Sequence, residues 1–318
     1  MSHPSKTKHR KKRNSLRARA QYRLEYAAFR LTAAVLSRIP FHIALKLGAG
    51  LGGFCFRVLG IRKKIVMQNL QRAFPGKSEA WRRDTALRHF RNAGMLAVEV
   101  MLLRDIANLP EAEFSRRIEL HGEEHLRALG WGEQPYVMCT AHTGNWELDG
   151  IFAGRREMNF SALVKRIHNP HLDRWINDAR QCTGTRTIYL KKIKSVYRHV
   201  RDSRGGICFL NDQDARKQGE FIEFFGRPAS TFAGPAFFAL KFGIPFVPIF
   251  QYRRPDDPAR HVIVVQPPIQ PPEQLQQDEQ LHYLLIEFNR RLEDFIREHP
   301  DQYFWMHNRW KTQPKKPV

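Results

Sequence analysis

The chain has 318 residues, with 53 Lys and Arg against 31 Asp and Glu, which gives a formal net charge of +22. Because 42% of its residues are hydrophobic, it can bury a substantial core and is not simply a disordered basic chain. The charge excludes a neutral metabolic enzyme as the default interpretation. It favours a polyanionic partner: nucleic acid, an anionic membrane or a phosphorylated substrate.

The first 23 residues carry nine Lys and Arg and no acid. We expect residues 1–23 to form a disordered basic arm, which is either a plain solvated tail or an attachment to anionic lipid or nucleic acid. The four cysteines are scattered, without a C-x-x-C pair. This spacing predicts reduced thiols and a cytosolic folded body, with neither a disulfide framework nor a zinc motif.

Residues 24–61 predict two short membrane-associating amphipathic helices separated by Pro40. Only ten uncharged residues lie between Lys46 and Arg57, whereas a spanning helix needs about 20. The pattern therefore favours helices that lie in the membrane interface, with packing on the folded domain as the alternative. Gly48, Gly50 and Gly53 match G-x-G-x-x-G, but no strand precedes them, and we expect close helix packing instead of a dinucleotide site.

The rest of the chain predicts an α/β fold. Residues 62–105 look helical, with Ser78 as an N-cap, and a last helix is expected over residues 281–299. Between them, short apolar runs alternate with polar helical stretches, which predicts a largely parallel sheet covered by helices on both faces. The predicted strands are residues 136–140, 160–164, 187–190, 206–210, 245–250 and 261–265.

The segment AHTGNWE, residues 141–147, is the sharpest chemical feature. His142 directly follows a predicted strand, and binding crevices in open α/β sheets lie beyond the carboxyl ends of strands. A Glu147 carboxylate that accepts the Nδ1 proton of His142 would leave Nε2 free to act as a general base. The plain alternative is a strand-terminal histidine that bonds a carbonyl. Cys139 lies inside the apolar run and is expected to be a buried hydrophobe, so no enzyme nucleophile is visible.

Other polar residues follow further predicted strands. Arg166 suits bidentate phosphate binding, although a solvated charge is an equal interpretation. Asp212 either bonds a substrate or Mg²⁺ or caps the next helix. The final QYFWMHNRWK segment, residues 302–311, suits an interface, phosphate binding or plain packing. No metal site is predicted.

Several ordered motifs resemble those of one family. The motifs are His142 to Glu147; Arg166, Asn169 and Pro170; Asp212 and Gln213; Phe224, Phe225, Gly226, Thr231 and Gly234; Gly243, Pro245 and Pro248; Tyr303, Trp305, His307, Arg309, Trp310 and Lys311; and Arg62, Asn69, Leu70, Phe74 and Pro75. Together they resemble the bacterial lipid A late acyltransferases, the lauroyl and myristoyl transferases within the glycerolipid and lysophospholipid acyltransferase group. The resemblance covers residues 22–311.

The resemblance implies an acyltransferase domain over residues 62–311, followed by a basic tail, residues 312–318. An acyl chain would move from acyl carrier protein or coenzyme A to a hydroxyl of a lipid A precursor or related membrane glycolipid, with no cofactor and no metal. His142 would be the base and Glu147 its partner, with oxyanion donors near Gly144 and Asn145. The substrate-binding residues implied are Arg166, Asn169, Asp212, Gln213, Arg309 and Lys311. The enzyme would work on the cytoplasmic face of an inner membrane rich in anionic lipid.

Two features leave alternatives open. Asn308 stands where the family more often has arginine, and the Thr-Gly-Asn-Trp filling of the His142 box also occurs in enzymes that act on phosphatidylinositol mannosides. The acceptor is therefore a lipid A precursor or another phospholipid or mannoside. A basic nucleic-acid-binding protein and a catalytically silent lipid-binding relative are the alternatives from other classes, although no nucleic-acid-binding motif is present.

Overall fold

The computed structural model describes residues 16–130, 133–190, 193–202 and 205–314 and has the predicted α/β fold. The helices are α1 Leu16–Leu36, α2 Phe41–Phe54, a π-helix Cys55–Leu59, α3 Lys63–Ala73, α4 Glu79–Met101, α5 Leu103–Ala107, α6 Glu111–Arg117, α7 Glu123–Ala128, α8 Glu147–Arg155, α9 Pro170–Gln181, α10 Ile193–Asp202, α11 Gly234–Phe242 and α12 Gln277–Glu298. The strands are β1 Ile118–His121, β2 Tyr136–Thr140, β3 Phe160–Val164, β4 Arg186–Tyr189, β5 Gly206–Leu210, β6 Glu220–Phe224, β7 Arg227–Thr231, β8 Phe246–Arg253 and β9 His261–Val265.

Seven strands form one sheet in the order β1-β9-β8-β2-β5-β3-β4. Every neighbouring pair is parallel except β8 and β9, so the predicted, largely parallel sheet is confirmed. All five residues of β2 are buried, as expected for a strand that is covered by helices on both faces. The pairing of Thr140 with Leu210 brings the carboxyl ends of β2 and β5 side by side.

The structure adds strands that the apolar pattern did not reveal. β1 joins the sheet edge, and β6 and β7 form a separate antiparallel hairpin. The hairpin turn is Phe225-Gly226, and both residues have positive φ values, 51° and 68°. Such a two-residue turn matches the twist of the strands that flank it, but a phenylalanine at positive φ is a poor sequence signal for it.

The N-terminal helices differ from the expectation in two ways. α1 begins at Leu16, so residues 16–23 are helical, while residues 1–15 of the expected arm lie outside the described residues. α2 continues through the π-helix, and Phe41–Leu59 is by length and composition long and apolar enough to cross a membrane, although the charge spacing did not predict this. Residues 315–318 of the expected basic tail also lie outside the described residues.

Glycines bring α2 against α4. A Cβ on Gly48 or Gly52 would clash with the backbone of α4 at Gly94 or Phe90. The helix-packing interpretation is therefore right for Gly48. It is wrong for Gly50, where a Cβ would meet nothing within 4 Å. Ser78 caps α4 as predicted, because its hydroxyl accepts the N–H of Trp81.

Candidate active site

His142 and Asp212 meet where two adjacent parallel strands end. His142 lies two residues beyond β2, Asp212 lies two residues beyond β5, and Nδ1 of the imidazole is 2.7 Å from Oδ1 of the carboxylate. The Asp212 side chain is 2% exposed, and burial alone would raise its pKa, but His142 beside it holds that pKa below its ordinary value. An ionised Asp212 accepts the Nδ1 proton and stabilises an imidazolium.

The other imidazole nitrogen faces polar and aromatic neighbours. Nε2 of His142 is 3.3 Å from Nε2 of Gln213, whose amide can donate to it when Asp212 holds the Nδ1 proton. Trp146 meets the imidazole edge-on with ring centroids 4.7 Å apart, and Phe304 lies 6.1 Å away. The N–H of Phe304 donates to the His142 carbonyl at 2.9 Å, so the chain's C-terminal segment fixes this loop.

Glu147 does not contact His142, and the predicted pairing of the two is wrong. Glu147 opens α8 and forms a two-pronged ion pair with Arg180 of α9, with N–O distances of 2.6 and 2.7 Å. The reason is geometric: after Trp146 the helix turns the Glu147 side chain toward α9, while Nδ1 of the imidazole points across the strand ends to Asp212. Burial would lower the pKa of Arg180, but the Glu147 carboxylate raises it above its ordinary value.

A cavity of about 370 Å³ opens beside His142. Its apolar wall comprises Trp146, Leu163, Val164, Leu190, Phe209, Leu210 and Phe232. Its polar wall comprises His142, Lys165, Arg180, Gln213, Asp214 and Gln218. The combination of an apolar wall with a few convergent polar groups is typical of a small-molecule site, and here the apolar part suits an alkyl chain.

Buried charges support the His142 loop from behind. Glu99 of α4 pairs with Arg253 and His261 and accepts a hydrogen bond of 3.0 Å from the Asn145 side chain. Burial would raise the pKa of Glu99, but Arg253 and His261 lower it to about 2.

In contrast, burial and then the Glu147 charge raise the pKa of Asp149 to about 8, so this carboxyl is largely neutral at pH 7.

The structure does not bring all predicted substrate residues to this cavity. Arg309 is 1% exposed and donates to the Ser230 carbonyl and the Thr231 hydroxyl, so it holds β7 and is not available to a substrate. Asn169 is also buried, where it caps α9 and donates to the Tyr22 carbonyl and Glu25 of α1. Both side chains are committed to internal hydrogen bonds, so their predicted substrate contacts are replaced by structural ones.

The remaining predicted residues divide between the cavity and the surface. Arg166 is exposed over the Tyr189 ring, and its neighbour Lys165 lines the cavity instead. Lys311 lies on the surface in a separate depression. The resemblance implies an oxyanion donor at Gly144. Its N–H instead donates to the Gln302 carbonyl at 3.0 Å and is not free to bind an oxyanion. Asn145 is fully buried, and its assignment as an oxyanion donor stays a prediction.

Sequence reasoning missed Arg180 as well as the pairing of Asp212 with His142. Arg180 lies in the polar helix PHLDRWINDARQ, where nothing distinguishes it from a solvated arginine. The sequence pattern places Asp212 at a strand end, and only the order of strands in the sheet brings it next to His142. Over residues 16–130, 133–190, 193–202 and 205–314, no group of three His, Cys, Asp or Glu side chains is arranged to hold a metal ion.

Comparisons with known proteins identify the family of this chain. The family model for bacterial lipid A biosynthesis acyltransferases matches residues 11–312. The chain belongs to this family. It is 26% identical to the lipid A biosynthesis lauroyltransferase of Escherichia coli K12 over 281 residues, which cover 87% of this chain and 88% of the relative. The palmitoleoyltransferase of the same organism is 22% identical over 280 residues, with the same shares covered.

A relative with another acceptor matches part of the chain. The phosphatidylinositol mannoside acyltransferase of Mycobacterium tuberculosis (strain CDC 1551) is 24% identical over 155 residues, or 46% of this chain and 49% of the relative. All these relatives are acyltransferases, and this chain is therefore an acyltransferase. Its family transfers an acyl group from an acyl donor to a lipid acceptor. The alternative interpretation as a nucleic-acid-binding protein is thereby set aside.

Proposed function

We propose that this acyltransferase moves a fatty acyl chain from an acyl thioester to a hydroxyl of a lipid A precursor or related membrane glycolipid, with His142 as general base. The observation that carries the proposal is the Asp212–His142 pair at the mouth of an apolar cavity. Because Asp212 accepts the Nδ1 proton, the unprotonated Nε2 is the nitrogen that can take a proton from an acceptor hydroxyl, which would displace the Gln213 amide from its 3.3 Å contact.

The reaction follows from this arrangement. The acceptor hydroxyl oxygen attacks the thioester carbonyl carbon as its proton moves to Nε2 of His142. The tetrahedral intermediate then collapses, the C–S bond breaks, and the imidazolium returns the proton to the thiolate that leaves. No acyl-enzyme forms, because Cys139 is buried within β2 and burial raises its thiol pKa far above the usual range.

The apolar and the charged residues of the cavity suit two different parts of the substrate. The apolar wall accepts the alkyl chain, because each buried CH₂ contributes about 0.8 kcal/mol. Lys165 and Arg180 line the same cavity as His142 and supply positive charge to it. Since the Glu147 carboxylate accepts from Nε and Nη2 of Arg180, it acts through Arg180 and not through the imidazole.

We place the enzyme on the cytoplasmic face of the inner membrane. Of the seventeen exposed large hydrophobic residues in the described part of the chain, eleven lie between Leu16 and Ile61. An apolar surface of this kind, carried on helices flanked by Lys and Arg, matches a lipid interface with anionic headgroups. The acyl donor is then acyl carrier protein or coenzyme A, which are both on the cytoplasmic side.

The test uses purified protein, a lipid A precursor in mixed micelles, and a labelled acyl chain on either acyl carrier protein or coenzyme A. A product heavier by one acyl chain is expected, and the donor that supports the higher kcat/KM is the natural one. We expect the rate to survive dialysis against EDTA, because the proposed chemistry needs no metal. Thioester hydrolysis without acyl transfer to any lipid would contradict the proposal.

A second acceptor follows from the match to the mannoside enzyme. The same assay with a phosphatidylinositol mannoside in place of the lipid A precursor decides between the two. Mass spectrometry of lipids from a deletion strain gives an independent answer, since the lipid that loses one acyl chain is the acceptor in the cell.

A further inference from the structure

A strongly basic depression lies outside the cavity at His142. Two adjoining surface cavities of about 390 and 420 Å³ share Arg72 of α3 and Arg227 of β7. We call this depression the basic groove. Its lining residues are Gln68, Gln71, Arg72, Pro75, Arg82, Arg227, Pro228, Asn308, Trp310, Lys311 and Gln313.

The basic groove contains four cations and no acid. In the described part of the chain, no carboxylate oxygen lies within 4.0 Å of the charged nitrogens of Arg72, Arg227 or Lys311. By contrast, the exposed Arg290 and Arg297 on α12 each bond two carboxylates. Cations held together without counter-charges repel each other, so the basic groove is a site of positive potential that an anion would relieve.

Its shape and chemistry fit a phosphate ester. Guanidinium groups bind phosphate oxygens through paired N–H donors, and Lys311 adds a mobile ammonium. The amides of Gln68, Gln71, Asn308 and Gln313 add neutral donors along the same walls. Arg82 is held at one end by the carbonyl oxygens of Phe74 and Lys77, so its position is fixed before any ligand arrives.

The basic groove is connected to the His142 cavity by β7. Arg227 and Pro228 begin this strand in the basic groove, and Phe232, one residue past its end, lines the cavity. Five steps of about 3.3 Å separate Arg227 from Phe232, or roughly 16 Å. The C-terminal segment makes a second connection, because Lys311 lines the basic groove and the next residue, Thr312, bonds Asp214 of the cavity.

We propose that the basic groove binds a phosphate ester of one of the two substrates while its reacting group is at His142. The inference rests on the proposed function and adds a phosphate site outside the His142 cavity. Two sources carry that chemistry: the phosphorylated sugar of a lipid acceptor, and the phosphorylated pantetheine arm of the acyl donor.

The first experiment measures binding without catalysis. Inorganic pyrophosphate is titrated into the full-length protein by calorimetry, and the same is done for Arg72→Gln, Arg227→Gln and the double variant. Each single loss should weaken binding about tenfold, and Arg72→Lys should restore part of it. Arg83→Gln removes the same charge one residue from Arg82 but outside the basic groove, and it should bind as the wild type does. Thermal unfolding confirms that the variants are folded.

The second experiment identifies the source by steady-state kinetics. If the acceptor supplies the phosphate, Arg72→Gln and Arg227→Gln raise the KM of the phosphorylated lipid with little change in kcat. If the donor supplies it, the KM of the thioester rises instead. Pyrophosphate binding that is undetectable in the wild type, or equal in the wild type and the double variant, overturns the proposal. Because this first readout needs no acyl transfer, it fails separately from the proposed function.

Discussion

This protein has two apolar regions, one that is exposed to solvent and one that faces the interior. In α2 and the π-helix, Leu51 and Val58 are 62% and 65% exposed, whereas Leu163 and Val164 beside the His142 cavity are 7% exposed. The charges follow the same division, because the body buries ion pairs such as Glu147 with Arg180 and Glu99 with Arg253. The outward region is suited to a lipid surface and the inward one to a single alkyl chain. Changes in one region should therefore affect membrane binding, and changes in the other should affect turnover.

The largest effect is expected at the His142–Asp212 pair. His142→Ala should lower kcat by about 10² to 10⁴, because the general base is lost. Asp212→Asn should cost up to about 10⁴, because asparagine stabilises neither the tautomer nor the imidazolium. Both are measured by product formation, and membrane partition should not change.

Asp214→Asn is the matched control for Asp212→Asn. It removes a carboxylate two residues along the chain that lines the same cavity but bonds Thr312, not His142. Asp214→Asn should therefore lower kcat far less than Asp212→Asn does. If Asp212→Asn instead keeps near wild-type activity, Asp212 is not the partner of the base.

Glu147→Gln should have a smaller effect on turnover and a larger one on folding. It breaks a largely buried ion pair and leaves the Arg180 charge without its partner, which should cost about 3 kcal/mol in unfolding free energy. Displacement of Arg180 at the cavity should lower kcat ten- to hundredfold. Urea unfolding and kinetics measure the two effects.

A double-variant cycle with Arg180→Gln separates the interpretations of Glu147. If the two residues act together, kcat of the double variant is little lower than that of either single variant. Additive losses, with the Glu147→Gln loss as large as that of Asp212→Asn, would show that Glu147 serves the imidazole directly.

The outward region is tested with Leu51→Glu. A charge on this exposed side chain should weaken partition onto anionic vesicles at least tenfold, since burying a leucine contributes about 1.5–3 kcal/mol. Folding stability should change by less than about 0.5 kcal/mol, as for most surface substitutions.

Ile286→Glu is the matched control, because Ile286 is 52% exposed but lies on α12, far along the chain from the N-terminal helices. It should partition as the wild type does. Equal losses for the two variants would show that vesicle binding does not depend on the N-terminal apolar surface.

The smallest effect is expected at Asn169, which joins α9 to α1. Asn169→Ala removes the cap of α9 and its bonds to α1, so it should cost about 1 kcal/mol and speed hydrogen exchange in residues 16–36. The KM values should stay unchanged. Ser78→Ala removes a cap of α4 for a similar cost and should leave exchange in α1 alone. A raised KM in Asn169→Ala would instead indicate that Asn169 binds substrate.

Much of the fold was predictable because β2, β3, β5 and β9 are short apolar runs bounded by polar residues, and all four were predicted at the observed bounds. The hairpin β6–β7 was not predictable, because half of its ten strand residues are exposed and its turn has a phenylalanine at positive φ.

The site was predictable in part for the same reason. His142 could be placed at a strand end from the local pattern alone. Its pairing with Asp212 depends on β2 and β5 being neighbours although 70 residues separate the partners, and no local pattern encodes that adjacency. The resemblance implies that Arg309 binds substrate, and only the three-dimensional packing shows that its guanidinium is buried and bonded to the Ser230 carbonyl and the Thr231 hydroxyl.

The glycine contact between α2 and α4 has a mechanical consequence. Gly94 touches the backbone of α2, and Glu99, five residues further along α4, holds Asn145 of the His142 loop. About 7.5 Å of α4 therefore separates its contact with α2 from its contact with the His142 loop. In the membrane orientation proposed above, this length of helix would set the distance between the imidazole and the lipid headgroups. Inserting one residue between Gly94 and Glu99 would rotate Glu99 by about 100° relative to Gly94, and we expect it to break the bond between Glu99 and Asn145 while α2 keeps its place.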